Sequence, residues 1–373
     1  MGRRRLAEPE LVRRNGRDGL TPRPYRVLGP DGSLIDPGHR PPPLPVVLEG
    51  LRLMLLSRCF DRRALAMNRQ GRLGGAAPGL GQEAAVVGSA LAIDPTRDWI
   101  APQYRELAAL VRHGRPLASV VAHSLGQTDA ARVPDGVRVL PDQYAIAAHL
   151  PHAVGLAWGL ALQDRDDVVI AYFGEGASSE GDFHEACNLA GVVRAPVVFF
   201  LQDNGWAIST PRSAQSAAAT LAGRAAGYGF EGVTVDGNDL LAVHEVTARA
   251  VARARAGAGP TLIEALTYRL GVHNMSDDPR RYRDGRSEAD AARLDPVVRV
   301  QGYLHLYAGY DDEGLAALER EAEREVEAAF ARALAAPPMT PEAMFAHAYA
   351  RPPARLLRQR AASLGPPGNG SCG

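Results

Sequence analysis

The 373-residue chain contains no lysine; all 42 of its basic residues are arginines. That absence excludes every mechanism built on an ε-amine: a lysine Schiff base, a pyridoxal aldimine, or the phosphate-gripping lysine of a P-loop. Cysteine is scarce. Cys59, Cys187 and Cys372 are scattered without C-x-x-C spacing, so neither a disulfide framework nor a zinc site is expected. There is no net charge, because 42 acidic residues balance the arginines. A binder of nucleic acid working through a broad basic field is therefore not expected. No apolar run reaches the length of a membrane span. The arginine-rich start, Met1 to Arg5, leads into Glu8 and Glu10 instead of an apolar segment, which does not match a secretory signal. The expectation is a cytoplasmic protein with no membrane partner.

What is present fits a globular enzyme, with 46% hydrophobic and 23% charged residues. Residues 1–45 are rich in proline, glycine and arginine and read as an extended arm, a composition unsuited to building a core. Residues 46–349 read as one α/β domain, and 350–373 as a Pro/Gly-rich tail. Within the domain, Leu48, Leu51, Leu55, Leu56, Phe60 and Leu65 recur at helical spacing between Val46 and Arg69. A glycine-rich break spans Gly71 to Gly81, and a second helix is expected over Glu83–Ile93. Val168–Phe173 and Val197–Leu201 are short, continuously apolar runs, as expected of strands buried on both faces. A helix carrying Phe183, Ala186, Cys187, Ala190 and Val193 joins them, so a right-handed crossover would set the two strands side by side and parallel. A further helix (His244–Ala256) and strand (Thr261–Thr267) repeat the unit, and a charged amphipathic helix follows Leu315. The fold class is α/β, a doubly wound parallel sheet.

Gly174-Glu175-Gly176 stands at the end of the first buried strand, and Asp203-Asn204-Gly205-Trp206 at the end of the second, with 26 residues between the two motifs. In an open parallel sheet, ligands bind in the crevice beyond these strand ends. Glycines beside Glu175 admit a close anionic ligand to the backbone amides. Glu175 and Asn204 offer hard oxygen donors of the kind Mg²⁺ takes alongside phosphate oxygens. Each motif alone is an ordinary turn. Bracketing one helix–strand unit, they suit a Mg²⁺–diphosphate group.

The pattern resembles the thiamine-diphosphate fingerprint, and the segment from Tyr172 to Pro211 resembles the α subunit of 2-oxo acid dehydrogenase E1 components, closest to the branched-chain type. The resemblance extends to Tyr25–Leu28, Arg69–Arg72, Gln103–Arg105 and Thr261–Asp278, and fades after Tyr349. It implies a thiamine-diphosphate-binding fold that oxidatively decarboxylates a 2-oxo acid, most closely branched-chain 2-oxo acids (3-methyl-2-oxobutanoate dehydrogenase). The acyl group would pass to the lipoyl group of an E2 acyltransferase. It further implies that Glu175, Asn204 and the Trp206 carbonyl hold Mg²⁺. Gln103, Tyr104 and Arg105 would contact the diphosphate, with Gly174, Gly176 and Ala177 beside it. Ile146 would pack against the cofactor, and His273 would act near the diphosphate as donor or proton carrier. In the family the acid that activates the aminopyrimidine comes from the β subunit, so an α₂β₂ heterotetramer with sites at α–β interfaces is expected.

The chain also departs from the family. Where aromatic and hydroxyl residues usually line the substrate pocket, it carries Leu73-Gly74-Gly75-Ala76-Ala77-Pro78, which would enlarge that pocket. The stretch from Asp129 to Ile146 is about eight residues short of the branched-chain pattern, and an active-site histidine segment is missing; His149 and His152 nearby read as packing residues. Gln202 replaces a basic residue and Asp203 replaces the first asparagine of the fingerprint. That exchange would weaken anion binding unless the Asp203 carboxylate points away. Asn274 stands where the family carries a regulatory serine, so phosphorylation there is not expected, and Ser276 reads as a loop hydrogen-bonder. Two alternatives accompany the main reading: a divergent paralogue using another 2-oxo acid such as pyruvate or serving a specialised pathway, and a catalytically degenerate assembly subunit. A nicotinamide-binding fold is disfavoured, since no strand leads into G-x-G-x-x-G.

Overall fold

The continuously apolar runs form neighbouring central strands. A computed structural model describes residues 23–283, 285–340, 342–346 and 349–364. Five strands, β1 (Trp99–Ala101), β2 (Val169–Gly174), β3 (Val197–Asp203), β4 (Glu231–Asp236) and β5 (Thr261–Leu266), make one parallel sheet in the order β1-β2-β3-β5-β4. The main helices are α1 (Leu44–Arg69), α2 (Glu83–Leu91), α3 (Leu107–Arg112), α4 (Leu117–Ser124), α5 (Leu150–Ala161), α6 (Gly181–Val193), α7 (Leu240–Arg255), α8 (Pro296–Ala308) and α9 (Asp312–Ala335).

Alternation along the strands sorts the core into two layers. Ile170, Tyr172, Val198, Phe200 and Ile263 face the layer built by α1, α2, α7, α8 and α9. Val169, Ala171, Phe173, Val197, Phe199 and Leu201 face α5 and α6. Both faces are covered, so the strands need no polar side, which explains their unbroken apolar sequence. Cys59 and Cys187 are buried free thiols among these residues, and Cys372 lies outside the described residues.

Part of the segment read as an arm lies against the domain. Tyr25 pairs in parallel with Val235 on the outer side of β4, donating its N–H to the Thr234 carbonyl at 3.0 Å and accepting from the Asp236 N–H at 3.0 Å. Val27 and Leu28 are buried in the larger core layer, so arm composition does not keep these two residues out of the core. Asp239 explains why they stay. One carboxylate oxygen caps α7 by accepting from the Leu241 and Ala242 N–H groups, while the other accepts from the Val27 and Leu28 N–H groups at 2.7 Å. Arg299 completes the clamp, donating to the Leu28 and Gly29 carbonyls and pairing with Asp236 at 3.0 Å. On the other edge of the sheet, Ile100 of β1 pairs with Val139 from the shortened 129–146 stretch. Past the domain, Ala354–Leu364 is a helix with no buried residue.

Candidate active site

The carboxyl ends of β1, β2, β3 and β5 open into one cleft of about 560 Å³. Gln103, Tyr104 and Arg105 reach it from β1, Gly174–Ala177 from β2, Asn204 and Trp206 from β3, and Arg269 and His273 from β5; Ile146 joins them from the segment before α5. Every site residue expected from sequence thus lines a single cavity.

Glu175 opens a short 3₁₀ turn (Glu175–Ser179) and is 1% exposed. Its Oε2 accepts the Asn204 N–H at 3.3 Å, while its Oε1 is buried with no hydrogen-bond partner. Burial, then the nearby Asp203 carboxylate, pushes the Glu175 carboxyl above its usual range. A buried acceptor oxygen left unpaired is costly, and a cation would satisfy it. Asn204 is held by its Nδ2 donating to Gln82 Oε1 at 3.1 Å and by its Oδ1 accepting the Trp206 N–H at 3.1 Å. The Trp206 carbonyl accepts from Arg269 Nη1 at 3.2 Å and keeps its second lone pair. These oxygens are a donor set suited to a hard divalent ion. Gly176 must be glycine, because a Cβ there would stand 2.8 Å from the Ala207 Cβ.

The other half of the cleft is cationic. Arg105 is buried and donates to the Pro78 carbonyl at 2.7 Å, to the His273 carbonyl at 2.9 Å and to His273 Nδ1 at 2.9 Å. Arg269, fully buried, donates to the Trp206 and Ile208 carbonyls, to the Tyr282 hydroxyl and to His273 Nδ1 at 3.1 Å. Their hydrogen-bond partners are neutral, and no ion pair within 4.0 Å joins either guanidinium to a carboxylate among the described residues. Desolvation lowers both, and for Arg269 the neighbouring Arg283 and Arg105 add to the fall, to about 10. Buried cations crowded together with no carboxylate in direct contact make a place for an anion.

His273 takes its protonation state from these neighbours. Two guanidinium groups donate to Nδ1, so the neutral ring carries its proton on Nε2. Burial first, then Arg105 and Arg269, lowers its pKa to about 4. Asp277 accepts the His273 N–H at 2.7 Å and the Tyr282 hydroxyl at 2.6 Å, which fixes the loop. Tyr104 stacks on Tyr144 with centroids 5.8 Å apart and lies under the Arg105 guanidinium, while Gln103 Oε1 accepts the Gly174 N–H at 3.3 Å. Ile146 is 38% exposed in the cleft wall.

The departures from the family also have a geometry. Asp203 turns to the buried Arg212, with Oδ2 3.3 Å from its Nε, and does not line the cleft. Gln202 donates to Glu106 Oε1 at 2.7 Å. His149 is buried with Nε2 2.8 Å from the Tyr172 carbonyl, a packing role, and His152 is exposed. Sequence reading missed Gln82, Asp61, Arg269 and His123, all of which line the cleft. Arg269 could have been found from its place four residues before His273. Nothing in the sequence flags the other three, which come from the helical layer.

The dehydrogenase E1 component family matches residues 51–342. A pyruvate dehydrogenase E1 component subunit alpha from Staphylococcus epidermidis is 40% identical over 310 residues, covering 83% of this chain and 84% of the relative. Its counterpart from Staphylococcus aureus is 44% identical over 259 residues, covering 69% and 70%. The chain belongs to the dehydrogenase E1 component family. Its kinship is with the α subunits of thiamine-diphosphate-dependent 2-oxo acid dehydrogenases, as the motifs implied. These relatives carry the name of pyruvate, so they support the broader class and not the branched-chain type.

Proposed function

We propose that the chain forms the metal and diphosphate half of a 2-oxo acid dehydrogenase active site, completed by a β subunit and delivering its acyl group to a lipoylated E2 acyltransferase. The observation that carries this reading is the pairing of an unpartnered Glu175 oxygen with two buried arginines lacking an anion. A Mg²⁺–diphosphate unit answers both. Glu175, Asn204 and the Trp206 carbonyl would hold the metal, and Arg105 and Arg269, with Gln103 and Tyr104 beside them, would hold the anion. When bound, thiamine diphosphate supplies the electron sink for decarboxylation. His273, neutral with its proton on Nε2, would donate a hydrogen bond into the cleft, and Ile146 would exclude water from the cofactor.

Partner dependence has its own support. The acids lining the cleft are Asp61, Glu106, Asp142 and Glu175. Asp61 accepts the Gly79 N–H, Glu106 accepts from Gln202 and from the Gln103 and Arg105 N–H groups, and Asp142 pairs with Arg115 at 2.7 Å. With Glu175 assigned to the metal, each other lining acid among the described residues already holds a hydrogen-bond or ionic partner, which fits an acid supplied from outside this chain. The substrate is a 2-oxo acid, with pyruvate and 3-methyl-2-oxobutanoate as the two types to compare. The test is calorimetric titration of the α–β complex with thiamine diphosphate, with and without Mg²⁺. Binding that needs Mg²⁺ and is lost in Glu175→Ala is expected, and Mg²⁺-independent or absent binding would refute the assignment.

A further inference from the structure

The cleft continues past the arginines into a lobe between α1 and α4, and the run 74–77 forms part of its wall. A Cβ added at Gly74 or at Gly75 would meet no heavy atom within 4 Å, so these positions leave open space where side chains could stand. Phe60 and Val120 give the lobe apolar sides. Its polar groups are mostly taken. Ser124 donates to the Val120 carbonyl at 3.0 Å, and Asp61 Oδ2 accepts the Gly79 N–H at 2.8 Å. His123 is different: it lines the cleft, and its buried Nδ1 has no hydrogen-bond partner. An apolar recess with one unsatisfied polar group is how a binding pocket selects a side chain.

Resting on the 2-oxo acid reading above, we propose that this lobe receives the substrate's side chain and selects one larger than methyl that carries a hydrogen-bonding group for His123. A methyl group leaves the space beside Gly74 and Gly75 unfilled and His123 unpaired. A hydroxyl-bearing side chain both fills the recess and satisfies the imidazole.

The experiment uses the complex with its β subunit, loaded with thiamine diphosphate and Mg²⁺, and an artificial electron acceptor. The probes are pyruvate, 4-methyl-2-oxopentanoate and 4-hydroxy-2-oxopentanoate; the last two differ only by a hydroxyl in place of a methyl. We expect kcat/KM to rise in that order, with the hydroxyl worth about tenfold over its methyl isostere. His123→Leu should bring that ratio to about one or below, and Gly75→Phe should shift preference toward pyruvate. Pyruvate as the best wild-type substrate, a hydroxyl-to-methyl ratio unmoved by His123→Leu, or cofactor binding without turnover of any of the three would overturn the proposal while leaving the cofactor assignment standing. Loss of Mg²⁺-dependent cofactor binding in the same preparation would overturn the underlying reading, and the proposal with it.

Discussion

Arg105 and His273 show how far residue-level reading reaches. The motif marked both as expected cofactor contacts and both line the cleft, but it could not show that one guanidinium grips Pro78 and His273 together, because Pro78 and His273 lie far from it in the chain. Arg105→Lys replaces a rigid fork with a point charge and should weaken thiamine diphosphate binding to the α–β complex by about 1.5–3 kcal/mol, read by calorimetry. His273 makes a pH prediction. Its folded pKa of about 4 lies below the unfolded value near 6.5, so the unfolded chain takes up a proton first as pH falls. Stability should drop between about pH 6.5 and 4, and the Tm of His273→Gln should fall less than that of wild type over that window. Asp203 was legible as an anomaly only; its ion pair with Arg212, which keeps the carboxylate out of the cleft lining, needed the fold.

Among the elements, the central strands and their crossover helix were readable because burial on both faces leaves an unbroken apolar sequence. The docking of Val27 and Leu28 was not. A proline-rich composition says little about two residues that Asp239, over two hundred positions away, holds by their backbone amides. The link between Pro78 and α2 is a second feature composition understates. The Thr267 hydroxyl donates to the Gly81 carbonyl at 2.6 Å, and the Leu270 N–H donates to the Leu80 carbonyl at 3.0 Å, fastening this turn to the His273 loop. Gly81 has φ +92° and a Cβ there would lie 2.2 Å from the Tyr268 carbonyl oxygen. Gly81→Ala should cost about 2–3 kcal/mol, lowering Tm by roughly 3–4 °C in a thermal scan.

For the whole molecule, the sequence disclosed a site at the strand ends, and the structure adds that its lining acids other than Glu175 already hold partners among the described residues. Separately purified, the chain should show no decarboxylation of pyruvate or 3-methyl-2-oxobutanoate in an artificial-acceptor assay. Activity should appear on adding the β subunit, and full turnover by this chain alone would contradict the half-site reading. The two sheet margins bear on how such a partner is met. Tyr25 pairs along the outside of β4, and Val139, flanked by the Arg138 and Leu140 backbone contacts, pairs along the outside of β1. Each margin is covered by one backbone bridge, which shortens the free edge on which another chain could extend the sheet and so limits end-to-end polymerisation.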